Sequence, residues 1–204
     1  MKEEANLFLL VLSNGGWEGL GKVREKEMEK ASRHLGFKDF KVVDDPKIPD
    51  GPDVIWEKQI VADHLANYMR SLQTAGHEIG SIVTFDEFGV SYHPNHIQVH
   101  HGCVHLHNSG LFPKVDLYTL TTVSSLRKYD SFLDIFLSSS AEVNYYLPSP
   151  RPAVATMMLH HTQWLWYRKL FMSFARYTVH NGLVHLPPGA ASQNKNQAKK
   201  KTEL

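Results

Sequence analysis

Thr84-Phe85-Asp86-Glu87-Phe88-Gly89-Val90-Ser91-Tyr92-His93-Pro94-Asn95-His96 is the stretch on which the reading of this chain turns. Ile82-Val83, just before it, read as the end of a buried strand, and Ile97 to Leu106, just after it, can form a helix. A strand, a glycine-containing loop and two histidines at the mouth of a helix are how an open α/β fold sets reactive side chains at the carboxyl edge of its sheet. His93 and His96 flank Pro94-Asn95. Proline suits the first helical turn, where its missing N–H would have had no partner. Both imidazoles can therefore face one cleft from a stiff backbone.

The totals set the frame. At 204 residues, 42% of them hydrophobic, the chain can bury one substantial core, and a single α/β domain is expected over 1–188 with a disordered basic tail over 189–204. A net charge of +1 makes no general electrostatic case for nucleic acid. Cys103 is the one cysteine, so no internal disulfide forms. No secretory signal and no apolar run of membrane-spanning length is visible.

Upstream of the central stretch, Leu7 to Leu12 is near-continuously apolar, the mark of a buried parallel strand, and Ser13 to Gly21 with its four glycines is a loop. Val23, Met28, Ala31 and Leu35 give a helix from Lys22 to Leu35, ended by Gly36. Arg24 and Glu27 sit in its first turn and a half, and by spacing alone they are a solvated pair. A short strand (Phe40 to Val43), a proline- and aspartate-rich connection (Asp44 to Pro52), a helix (Trp56 to Leu72) and the strand Ile79 to Phe85 lead into the motif.

Downstream, His100, His101, His105 and His107 share one helix with Cys103. His96 and His100 are four apart, but a metal site needs three or more converging donors, so these imidazoles read as solvated or packing groups. Asp116 to Val123 is a strand, Leu126 to Leu137 is helical or irregular with Tyr129, Phe132, Leu133 and Phe136 available for packing, and Val143 to Leu147 is an edge strand. After Ala153 the aromatic and aliphatic residues Trp164, Trp166, Tyr167, Leu170, Phe171 and Phe174 alternate with Arg168, Lys169 and Arg176. That mixture fits either an interfacial helix beside anionic lipid or a helix closing the domain over the sheet.

The blocks Thr84-Phe85-Asp86, Gly89-Val90-Ser91 and His93-Pro94-Asn95-His96, in this order, resemble the N-acetylglucosaminyl-phosphatidylinositol de-N-acetylases, within the zinc-dependent sugar de-N-acetylases. Gly19 to Glu27, Leu126-Arg127-Lys128-Tyr129, His161-Thr162-Gln163 and Trp166 to Leu170 extend the likeness over nearly the whole chain. The resemblance implies a Rossmann-like, mostly parallel sheet with flanking helices. It implies removal of an N-acetyl group from a phosphatidylinositol-linked amino sugar, in glycosylphosphatidylinositol anchor biosynthesis, at the cytoplasmic face of the endoplasmic reticulum membrane. It also implies zinc, with His96 as a metal ligand, His93 as the residue meeting the oxyanion or moving a proton, Asp86 behind the histidines, and Arg24 with Glu27 beside the substrate.

One departure bears on all of this. The family opens on a strand ending in a His-Pro-Asp-Asp block that supplies two zinc ligands and the catalytic aspartate, and no such block occurs here. The expectation is an N-terminally truncated chain that lacks the family's first strand, binds zinc poorly, and acts weakly or only as a glycolipid-binding or structural partner.

Overall fold

The computed structural model describes residues 5–128 and 141–189. In chain order its main elements are β1 (Phe8–Val11), α1 (Gly21–His34), β2 (Asp39–Val42), α2 (Lys58–Thr74), β3 (Ser81–Phe85), α3 (Pro94–Asn108), β4 (Asp116–Leu120), α4 (Ser125–Lys128), β5 (Val143–Tyr146), α5 (Arg151–Met158), α6 (Trp166–Phe174) and β6 (His180–His185). The chain divides into two compact units, Met1–Val54 with Val123–Gly182, and Ile55–Thr122 with Leu183–Leu204.

In the first unit β1 and β2 pair in parallel, Phe8 opposite Asp39 through Val11 opposite Val42. Their ladder is extended at both ends, by Lys38 N–H to the Leu7 carbonyl and Val43 N–H to the Val11 carbonyl, each at 2.8 Å. Between the strands lie a 3-10 turn (Gly16–Glu18) and α1. Gly36, at φ +77°, ends α1 in the left-handed conformation that glycine adopts without a steric penalty. Leu12, Ala31, Val43, Ile48, Ala175 and Val179 are buried in this unit.

In the second unit β3 pairs in parallel with β4, Ser81 opposite Asp116 through Phe85 opposite Leu120. The last residues of β6 run antiparallel to β4, with Tyr118 opposite His185. α2 buries Val61, Leu65, Met69 and Leu72 at helical spacing, and α3, packed against it, buries Cys103, Val104 and Leu106.

Four readings are corrected here. The chain does open on a strand: β1 is present and hydrogen-bonded to β2, which overturns the reading of a chain truncated ahead of its N-terminal strand. The larger sheet, ordered β3-β4-β6-β5, is mixed and not mostly parallel, because β6 enters antiparallel to β4. β6 itself was not foreseen, since its Asn181-Gly182 pair carries a turn signal. Finally, Val83 is 60% exposed because β3 is the edge of its sheet, and β1 is half-buried throughout.

The packing expected of Tyr129, Phe132, Leu133 and Phe136, and the tail over 190–204, lie outside the described residues. Among the described residues no helix is long and apolar enough to cross a membrane.

Candidate functional site

The second unit holds Asp86, His93 and His96 in the β3–α3 connection. Asp86 follows the last residue of β3, and its carboxylate is the anchor of the loop. One oxygen accepts from the Thr122 hydroxyl at 2.6 Å and from the Phe88 and Gly89 amides at 3.1 Å; the other accepts from the Thr122 amide at 2.5 Å. The Thr122 hydroxyl in turn accepts from the Val90 amide at 2.9 Å. Hydrogen bonds to an ionised acceptor are about twice as strong as neutral ones, so this loop is stiff.

The loop is also strained. Gly89 (φ +60°), Val90 (φ 64°) and Tyr92 (φ 60°) all occupy the left-handed region, where a β-branched residue such as valine is disfavoured. Such strain persists only where the surroundings over-determine the backbone, and the Asp86–Thr122 pairing does so here. At Gly89 a β-carbon would stand 2.7 Å from Cβ of His96 and 3.1 Å from the amide of Ile97. The loop therefore lies directly on the first turn of α3.

His93 is the N-cap of α3, with extended backbone, and its Nδ1 accepts the Asn95 amide at 3.3 Å while Pro94 takes the first helical position. His96 sits within the first turn. Its Nδ1 is 2.9 Å from the Gly89 carbonyl, and its ring stacks on Phe85 with centroids 4.3 Å apart. The two imidazole centroids are 5.2 Å apart. Their partners set their tautomers. An amide can only donate, so neutral His93 keeps its proton on Nε2; a carbonyl can only accept, so His96 carries its proton on Nδ1 and a lone pair on Nε2. The two neighbouring rings thus carry their protons on opposite nitrogens.

Of the remaining histidines of α3, His100 is buried with Nδ1 2.9 Å from the Phe85 carbonyl, His105 Nε2 pairs with Gln59 at 2.8 Å, and His101 is exposed. Burial pushes the Cys103 thiol up to about 11, partly offset by its hydrogen bond to Thr84, and so disfavours the reactive thiolate form.

The first unit holds Arg24 and Glu27. The Arg24 guanidinium donates to the Gly15 carbonyl at 2.6 Å and pairs with Glu18, while its Nε is buried without a partner among the described residues. A β-carbon at Gly15, φ +69°, would stand 2.9 Å from Cδ of Arg24, so the glycine loop is shaped around the arginine. Glu27 is only 5% exposed, and its carboxylate grips Thr162, accepting from the amide at 2.8 Å and from the hydroxyl at 2.7 Å. Beside it, burial holds the His160 pKa below the ordinary histidine value; Glu27 opposes that shift and Arg168 adds to it. Neither member of this pair is the solvated residue that spacing alone gives: both are tied to loops.

Sequence reasoning gave no role to Thr122, Thr162 or His160. Thr162 does fall in a block that carries the resemblance, but the partner of Thr122 is fixed by the β3–β4 register, which a sequence does not display.

The likeness to zinc-dependent enzymes calls for a metal centre, and the donors can be tested against it. Catalytic zinc takes about three protein ligands. Among the described residues no group of three or more histidines, cysteines, aspartates or glutamates could hold a metal. His96 offers its Nε2 lone pair, but both Asp86 oxygens are engaged by Thr122 and the loop amides, and His93 has its Nδ1 lone pair turned to Asn95. The donor set does not fit a three-ligand zinc site.

A family described as GlcNAc-PI de-N-acetylase (PIG-L) matches residues 1–107. N-acetylglucosaminyl-phosphatidylinositol de-N-acetylase of Bos taurus is 34% identical over 187 residues, covering 88% of this chain and 72% of the relative. A probable enzyme of the same name from Schizosaccharomyces pombe is 30% identical over 194 residues, covering 89% and 75%. Among solved structures, N,N'-diacetylchitobiose deacetylase from Pyrococcus horikoshii superposes with a TM-score of 0.54 over 89% of this chain and 73% of that one, at 13% identity, a likeness of fold. With its family match spanning residues 1–107 of 204 and its kinship to these relatives, the chain belongs to the GlcNAc-PI de-N-acetylase family.

Proposed function

We propose that the chain is an amide hydrolase that removes the N-acetyl group of N-acetylglucosaminyl-phosphatidylinositol, an early step of glycosylphosphatidylinositol anchor assembly at the endoplasmic reticulum membrane. The names of its relatives support the substrate class. The observation that carries the reading is the pair of ring contacts, His93 Nδ1 with the Asn95 amide and His96 Nδ1 with the Gly89 carbonyl, from which opposite tautomers follow at one helix start.

In amide hydrolysis water adds to the carbonyl carbon, the carbonyl oxygen becomes negative, and the carbon–nitrogen bond breaks as the amine gains a proton. His93 Nε2–H is assigned to the oxygen that becomes negative, where a preorganised donor matters most. His96 Nε2 is assigned to accepting a proton from the attacking water. Asp86 is a positioning residue: it holds Thr122 and Gly89, and the Gly89 carbonyl orients His96. Within the first unit, Arg24 is assigned to shaping the Gly15 loop and Glu27 to holding the Thr162 turn. No step is routed through zinc, because the donors described do not fit it.

The test is acetate release from the glycolipid in detergent micelles. Asparagine retains helix-capping ability, so His93→Asn is expected to keep the fold and lower kcat about 100-fold or more. Unchanged turnover in that variant, or no acetate from the wild-type chain, overturns the reading. Glycolipid binding without acetate release by the wild-type chain would replace it with a glycolipid-binding protein.

A further inference from the structure

The feature that the reaction does not use is α6. None of its nine residues is buried. At about 100° per residue, Trp166, Leu170, Phe174 and Tyr167 fall on one arc of the helix. All four are exposed, Trp166 at 73% and Phe174 at 56%, whereas Arg168, Phe171 and Met172 are half-buried. The helix therefore turns its apolar arc outward, the reverse of a helix that closes a core. An exposed contiguous apolar strip of this kind marks a binding surface.

Charge identifies what it binds. No aspartate or glutamate occurs between Glu142 and Glu203, while arginines and lysines recur throughout that span. Two cations are held against aromatic rings at the helix: Lys169 Nζ lies 5.7 Å from the Trp164 ring centroid and Lys128 Nζ 5.5 Å from that of Phe171. A protruding tryptophan, leucine and phenylalanine beside cations, in a span of sequence without carboxylates, complement a surface that is apolar below and anionic above. An acidic protein surface would match the cations and leave the three apolar side chains without partners.

We propose that α6 is a peripheral membrane-docking helix, with Trp166, Leu170 and Phe174 entering the acyl boundary and Lys169 meeting anionic headgroup phosphates. The surface goes beyond the deacetylase reading and needs no substrate, so it is tested without one. The full chain is floated with vesicles of phosphatidylcholine alone and of phosphatidylcholine containing phosphatidylserine. Binding is expected to the second kind only, to fall with salt, and to drop about tenfold in Leu170→Ser/Phe174→Ser, whose altered side chains are exposed and whose fold is checked by circular dichroism. Lys169→Glu, which keeps the apolar arc, is expected to weaken binding selectively to the anionic vesicles.

Three results overturn the proposal. One is no binding to anionic vesicles. Another is binding that neither variant alters, which would assign the lysines of residues 195–201. The third is a wild-type dimer in sedimentation velocity that Leu170→Ser/Phe174→Ser dissociates, which would make the arc a contact between copies of this chain. Because substrate is absent throughout, failure here leaves the acetate-release test standing, and failure there leaves this one standing.

Discussion

Gly89 meets two demands at once, a left-handed backbone and a close approach to His96. Gly89→Ala is expected to cost about 1–3 kcal/mol of stability in denaturant unfolding and to lower turnover by shifting His96, because both the φ value and the 2.7 Å approach oppose a methyl group. Unchanged stability would show that the loop can relax. His160 gives a second test at this scale. Its folded pKa lies below the ordinary value of 6.5, chiefly through burial, so the unfolded chain holds the proton more tightly. Its contribution is fully present above the unfolded pKa and is lost as pH falls through the folded one. His160→Gln is therefore expected to flatten the fall of stability as pH drops below the ordinary histidine value of 6.5, followed by denaturation at a series of pH values.

Among the elements, α3 was the most legible. Pro94 marks its start, as the sequence implies, and the structure adds His93 as its cap. What periodicity could not show is how near α2 comes. At Gly102 a β-carbon would lie 2.2 Å from Cγ1 of Val61 and 3.2 Å from the Lys58 carbonyl, so the helices meet backbone to side chain at a residue that reads as a mere weakness in the helix. Gly102→Ala is expected to destabilise by about 1–3 kcal/mol through overpacking, and Val61→Ala in the same chain to restore part of it. Strict additivity of the two losses in a double-mutant cycle would refute the contact. The α6 stripe was equally visible in sequence, but its direction was not, because helical period describes a face without saying whether water or protein covers it.

Across the whole chain, the Glu27–Thr162 pairing ties α1 to a segment 135 residues away. Glu27→Ala leaves the Thr162 amide and hydroxyl without their charged acceptor, and is expected to cost about 3 kcal/mol in thermal or denaturant unfolding. A loss within experimental error would mean that water replaces the carboxylate. The sequence by itself determined the order and kind of most elements, the histidine pair at a helix start, and the family. These rest on local periodicity, turn chemistry and contiguous motifs, which are properties of neighbouring residues. Only the tertiary structure decided that β1 pairs with β2, that β6 makes the larger sheet mixed, that Asp86 is saturated by Thr122, and that Glu27 grips Thr162. Each of those depends on strand register or on a contact between residues distant along the chain, and no local pattern encodes either.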